Sequence, residues 1–115
     1  MRLTSQIWVS ALIRSQNAEG AFATVLRKGA PEAGAIFIVH NHPGAASSVY
    51  APAPQAVFDA GEAGERRFEC IADSMDEEEM RIYLDRQVDF DPDCWIIEIE
   101  GRDLPDFVTV VDSST

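Results

Sequence analysis

Positive charge is scarce in this chain of 115 residues: nine Lys and Arg stand against twenty Asp and Glu, a formal net charge of −11. A phosphate backbone or an anionic membrane calls for a positive face, so the balance argues against nucleic acid and membrane surfaces as partners. Cysteine is scarce too. Cys70 and Cys94 are too few and too far apart for a disulfide framework or a four-ligand zinc site. Each sits in an apolar run, which reads as two reduced core thiols. Long apolar runs are also missing. Stretches such as Ala35 to Val39 and Trp95 to Ile97 fall far short of the roughly twenty residues a transmembrane helix needs. Near the start, Ser10 interrupts the run from Ile7 to Ile13, Arg14 ends it, and no small-x-small cleavage site follows, so a signal peptide is not expected. Together these features point to a cytoplasmic protein.

What is present is an ordinary globular balance, 46% hydrophobic and 25% charged, enough for one domain with its own core. The charge is polarised. Residues 1–57 hold four basic and two acidic residues, a balance of +2, whereas residues 58–115 hold five basic and eighteen acidic, a balance of −13. A near-neutral first half can meet the acidic second half of another copy, or a basic partner can meet that acidic half directly.

Gln6 to Arg14 alternates Ile7, Val9, Ala11 and Ile13 against Trp8, Ser10, Leu12 and Arg14, a period of two that predicts a strand; a helix through Ile7, Trp8, Ala11 and Leu12 competes. Asn17 is placed to cap a helix bearing Ala18, Phe22, Val25 and Leu26 on one face, stopped by Gly29 and Pro31. Ala35 to Val39 reads as a buried strand, Asn41 to Gly44 as a turn, and Ser48 to Ala51 as a partner strand closed by Pro52 and Pro54 at a sheet edge. A loop from Gln55 to Glu65 leads to a strand over Arg67 to Ala72. Ser74 with Glu77 forms a capping box for a helix to about Val88, striped by Met80, Tyr83, Leu84 and Val88, and Asp91-Pro92 breaks it. Cys94 to Glu100 is a strand with one buried and one wetter face. The expected order is β-α-β-β-β-α-β in residues 1–100, followed by a tail over 101–115 in which Phe107 to Val111 adds an edge strand. The fold class is α+β: a single, mainly antiparallel sheet with both helices packed on one face.

Five segments in order carry a resemblance: Trp8-Val-Ser-Ala-Leu-Ile-Arg14, Gly20-Ala-Phe-Ala-Thr-Val-Leu-Arg-Lys-Gly29, Tyr50-Ala-Pro-Ala-Pro-Gln55, Arg66-Arg-Phe68, and Phe90-Asp-Pro-Asp-Cys-Trp95 running into Ile-Ile-Glu-Ile-Glu100. Together they are similar to a family of short uncharacterised bacterial proteins, domain of unknown function 1491. The resemblance implies one domain in a bacterial cytoplasm and transfers no catalytic residue. His40-Asn41-His42-Pro43 lies outside that pattern.

That tetrapeptide resembles the His-x-His-Pro signature of JAB1/MPN zinc isopeptidases and RadC-like domains. Two imidazoles separated by one residue on an extended segment project to one side, where both can ligate zinc. The chemistry also needs a Ser-x-x-Asp ligand and a Glu to activate water. Here Ser47 is followed at that distance by Tyr50 and Ser48 by Ala51; Asp59 is the nearest downstream carboxylate, and Glu32 lies upstream in a Pro-containing loop. The plainer reading is a polar turn with solvated histidines and no cofactor. Asp89-x-Asp91-x-Asp93 with Glu100 has EF-hand offsets, but Cys94 stands where that loop needs Gly, so a helix-to-strand turn capped by Asp side chains is expected instead. Asp76-Glu77-Glu78-Glu79 reads as a solvated helix start. Arg27-Lys28 and Arg66-Arg67 are the basic doublets, with Arg forks suited to carboxylate or phosphate.

No complete catalytic set can be assembled from these residues. The expected function is therefore binding or protein association, in the manner of a homodimer or with an unknown protein partner, through candidate residues Tyr50, Gln55, Arg27, Arg66 and Arg67. An open edge at 48–51 or 107–111 would offer strand pairing. The competing expectation is a zinc-dependent hydrolase using His40, His42 and Asp59.

Overall fold

A computed structural model describes residues 3–54 and 66–111; the Gln55–Glu65 loop of the sequence reading, with Gln55 and Asp59, lies outside them. The elements run α1 (Ser5–Ala18), β1 (Phe22–Arg27), β2 (Ile36–Asn41), β3 (Ser47–Pro52), β4 (Arg67–Met75), α2 (Glu77–Phe90), β5 (Trp95–Glu100) and β6 (Thr109–Val110). They form a six-stranded sheet in the order β1-β5-β2-β3-β4-β6. β1/β5, β2/β3 and β3/β4 are antiparallel, while β2/β5 and β4/β6 are parallel. The class is α+β, and the sheet is mixed rather than mainly antiparallel.

The first two expected elements exchange type. Residues 5–18 are helical because Thr4 accepts the Ile7 N–H at its start and because Trp8, Val9, Leu12 and Gln16 recur on one buried face. The competing stripe through Ile7, Trp8, Ala11 and Leu12 had the right element, with Trp8 and Leu12 buried and Ile7 exposed. Gly20 ends α1 with φ +80. The Ala21 N–H returns to the Gln16 carbonyl and the Gly20 N–H to the Asn17 carbonyl, a Schellman closure that a side chain at Gly20 would strain. Asn17 is thus near the end of a helix, not the start of one. The chain leaves it extended, with Ala23 facing the core.

β2, β3, β5 and α2 fall where expected, the turn after β2 closes through the Ala45 N–H to the His42 carbonyl, and β6 supplies the short edge strand of the tail. The cap of α2 lies two residues further on than Ser74/Glu77. Asp76 accepts the Glu79 N–H at 2.8 Å while the Glu79 carboxylate accepts the Asp76 N–H at 3.1 Å. β3 is an inner strand between β2 and β4, so it offers no edge; the two edges are β1 and β6.

The helices cover opposite faces of the sheet rather than packing on one face as expected, because adjacent residues of β2 are apolar on both sides. Trp8, Val9 and Leu12 of α1 pack with Ile36, Ile38, Trp95, Ile97, Ile99, Phe68 and Val108. Leu84 of α2 packs with Phe37, Val39, Ala51, Cys94 and Ile96, flanked by Met80, Tyr83 and Val88. Both faces of β2 from Ile36 to His40 and of β5 from Trp95 to Ile97 therefore bury, and the wetter face of β5 is confined to Glu98 and Glu100. The connection from β1 to β2 is pinned beneath β5: the Ala30 N–H donates to the Asp93 carbonyl, and the Trp95 indole N–H to the Ala30 carbonyl. A Cβ at Gly34 would stand 2.2 Å from the Asp93 carbonyl oxygen, which is why the chain is bare there.

Candidate functional site

The two histidines emerge at the C-terminal end of β2 and the turn that follows it. His40 pairs in register with Ser48 of β3 and Ile99 of β5, which sets its ring on the α1 side of the sheet. It is 2% exposed, so the expected solvated turn is wrong for this residue. Its Nε2 lies 2.9 Å from the Gly101 carbonyl and so carries the proton that it donates there. Nδ1 is then a buried lone pair with no hydrogen-bond partner. Burial is the main influence on this ring and pushes its pKa below the usual 6.5, against the Gly101 carbonyl, which acts to raise it.

The His42 ring lies against His40, centroids 4.2 Å apart and tilted by 53°. His42 Nε2 is 2.7 Å from Ser48 Oγ, and Ser48 donates its own proton to the Asp73 carbonyl at 3.1 Å. Ser48 therefore accepts from His42. This is the reverse of the direction in which a base activates a hydroxyl nucleophile, and Ser48 is itself buried. On the opposite face Ser47 donates to the Asn41 side chain, whose amide donates to Glu98 at 2.7 Å. Among the described residues no group of three or more His, Cys, Asp or Glu gathers around a common point.

The other candidate residues are dispersed. Arg27 ends β1 and donates to the Pro92 carbonyl at 2.8 Å. Arg66 precedes β4 and donates to the Leu3 carbonyl and to Ser5 Oγ, whose own proton goes to the Gly34 carbonyl at 2.6 Å. Arg67 begins β4 opposite Thr109. β1 and β4 are four strand spacings apart in the sheet, roughly 19 Å, so the two doublets do not share a cleft. Tyr50 is half-buried on β3 against the α1-side core, between Ile38 and Cys70 in register. Burial raises its hydroxyl pKa, and Cys70 adds to this. Cys70 is exposed and Cys94 buried, so only one of the two thiols lies in the core. Glu100 stands at the far end of β5 from Asp89, while Asp91 caps the Asp93 N–H as the turn reading expects.

An open groove of about 720 Å³ runs between the end of α1 and the segment after β5, lined by Gln16, Glu19, Arg102, Asp103 and Phe107 among others. The sheet edge beside α1 is open and apolar. β1 has no strand on its outer side among the described residues, and Phe22, Val25 and Leu26 are 51%, 39% and 52% exposed. Sequence reasoning put these residues on a helix and so missed the edge. It also missed Gly101 and Glu98, more than fifty residues from the side chains they bind, for which no local signal exists. No described helix is long and apolar enough to cross a membrane.

Comparison with known proteins places this geometry. The family described as Protein of unknown function (DUF1491) matches residues 3–109. The chain is similar to protein Atu0922 of A. tumefaciens, solved in solution, with 42% identity, a TM-score of 0.83 and 98% of each chain covered. It is also similar to a DUF1491 family protein of Caulobacter crescentus CB15, solved by crystallography, at 34% identity and TM-score 0.76 over 97% of this chain and all of that one. An NMR structure of a DUF1491 family protein from the same organism matches at 36% identity and TM-score 0.75, over 97% of this chain and 99% of that one. No curated protein matches.

Proposed function

Because the chain belongs to the DUF1491 family, whose description assigns no activity, its role has to be argued from the site, and we propose that it is a cytoplasmic association domain that acts without catalysis. One observation carries this reading: a six-residue edge strand, unpaired on its outer side among the described residues, presents three exposed large apolar side chains in a chain of net charge −11. Unpaired backbone groups beside apolar side chains are what strand addition requires. The test is light scattering over a wide concentration range together with affinity capture from the cytoplasm. Reversible self-association, or a retained partner that is lost on changing Leu26 to Lys, supports the reading. A strict monomer that retains nothing overturns it.

A zinc-dependent hydrolase on His40 and His42 is the second reading, and the observation in its favour is the buried, unpartnered Nδ1 of His40. With Nε2 donating to a backbone carbonyl, the ring is oriented as metal-bound imidazoles are. Stoichiometric zinc in untagged protein, lost when both histidines become Ala, would overturn the association reading in favour of a metal site here, and zinc-dependent hydrolysis lost in the same variant would complete this second reading.

A further inference from the structure

We infer that the occupant of the β1 edge is a second copy of this chain, paired antiparallel about a two-fold axis through Thr24. The inference rests on the association reading and names its partner. Phe22 and Thr24 sit opposite Glu100 and Glu98 of β5, while Ala23 and Val25 sit opposite Ile99 and Ile97. Since Ile97 and Ile99 belong to the α1-side core, Phe22 and Thr24 face the α2 side, where the residues buried with Leu84 of α2 come from β2, β3 and the start of β5. Setting Thr24 against the partner's Thr24 places Phe22 against the partner's Leu26, twice by symmetry. Ala23 then meets the partner's Val25. Every exposed apolar residue of the edge gains an apolar neighbour, the unit that stabilises such a ladder.

Charge selects the same arrangement. β1 ends in Arg27 and Lys28, whereas Glu19 precedes it and Glu100 lies opposite Phe22 at its beginning. Lys28 and Glu19 are exposed. Antiparallel pairing brings each basic end to the partner's acidic end; parallel pairing would set like against like. A second copy supplies that complement without further assumption, and the contact is closed, because it uses the outer side of both β1 strands. The other edge, β6, is two residues long, too short to propagate a sheet. The bulge between Val25 and Arg27 falls on Leu26. Phe22 to Val25 stay regular, so Thr24 against Thr24 and Ala23 against Val25 form the regular part of the ladder, and the Phe22–Leu26 contact is made at the bulge.

The test is sedimentation velocity on the full chain across concentrations. A reversible dimer is expected, with Leu26→Lys weakening it on the order of tenfold or more through lost apolar burial. Lys28→Glu should weaken it up to about fivefold, and Lys28→Glu with Glu19→Lys should restore it. Unchanged melting of both single variants separates lost association from misfolding. In a Cys70→Ser background, Thr24→Cys should oxidise to a covalent dimer and Phe22→Cys should not, since only Thr24 faces its own copy. A dimer indifferent to Leu26→Lys overturns this interface while leaving the association reading intact. A monomer at every concentration overturns it as well, and the association reading then stands or falls on affinity capture alone.

Discussion

The two faces of the sheet are covered to different depths. On the α1 side eleven described residues form a buried cluster, with Trp8 in tilted ring contact with Phe68 and Phe107 at centroid distances of 5.4 and 5.0 Å. On the α2 side the cluster has six, and Leu84 is the one buried residue that α2 contributes. α1 is also tied down by side-chain bonds from Ser5 and to it from Arg66, whereas α2 carries a full capping box and a first turn of three glutamates. One helix is held by what it buries; the other leans on its own local chemistry. Folding stability therefore belongs mainly to the α1 face, and local opening should begin at α2.

The largest test of this contrast is a pair of truncations. Leu12→Ala removes a fully buried side chain from the α1 cluster and should cost about 3–4 kcal/mol in denaturant unfolding. Leu84→Ala, at a site that is 9% exposed and flanked by half-buried neighbours, should cost about 2 kcal/mol. Equal costs would remove the asymmetry. Next in size is the cap. Asp76→Ala removes the side-chain acceptor of the Glu79 N–H while the backbone N–H at 76 can still donate to Glu79, and should cost about 1 kcal/mol. Amide exchange should speed up across α2 first, because that helix has the least buried area to hold it; uniform acceleration over the whole sheet would contradict the contrast.

The same asymmetry explains which parts of the fold were legible in the sequence. β2 was readable as a strand because its unbroken apolar run announces burial, and β5 because Trp95, Ile97 and Ile99 alternate against Ile96, Glu98 and Glu100. Both helices were nonetheless expected on one face; the structure places one on each, since Phe37 and Val39 point away from Ile36 and Ile38. The α2 stripe of Met80, Tyr83, Leu84 and Val88 was readable because nothing competed with its period. At the N-terminus two periods competed. Ile7, Val9, Ala11 and Ile13 imitate a strand, and the deciding facts, Trp8 against Phe68 and Phe107, come from residues sixty or more positions away. Phe22 to Arg27 was then assigned to a helix, which hid the open edge. At the histidines the sequence showed the pair but not its bonds. Gly101, Ser48 and Asp73 reach it only through sheet register, and register is a tertiary property.

A smaller effect follows from His40 on the α1 face. Its folded pKa lies below 6.5 because burial disfavours the charged ring, so as pH falls the unfolded chain takes up the proton first. This group leaves stability unchanged above about pH 6.5. It lowers stability as pH drops from there toward the folded pKa. His40→Gln should therefore flatten the decline of melting temperature over that window, whatever it does to the absolute value. A variant whose slope matches the parent would show that the buried ring is not what titrates.

The smallest effect lies on the outer surface of α2. Arg81 reaches Asp85 at 3.3 Å and Glu78 at 4.0 Å, with all three side chains more than half exposed. Such pairs contribute roughly 0.3–0.5 kcal/mol because water and salt screen them and the side chains give up freedom to meet. Arg81→Ala should therefore cost less than 0.5 kcal/mol, and the cost should shrink further in high salt. The value of so small a number is its position below Asp76→Ala. If α2 depends on its cap and not on its surface charges, the two variants must separate clearly in the exchange rates of α2. Were Arg81→Ala to open the helix as readily as loss of the cap, α2 would be held along its whole outer face, and the view of it as a lightly seated helix secured at its first turn would have to be given up.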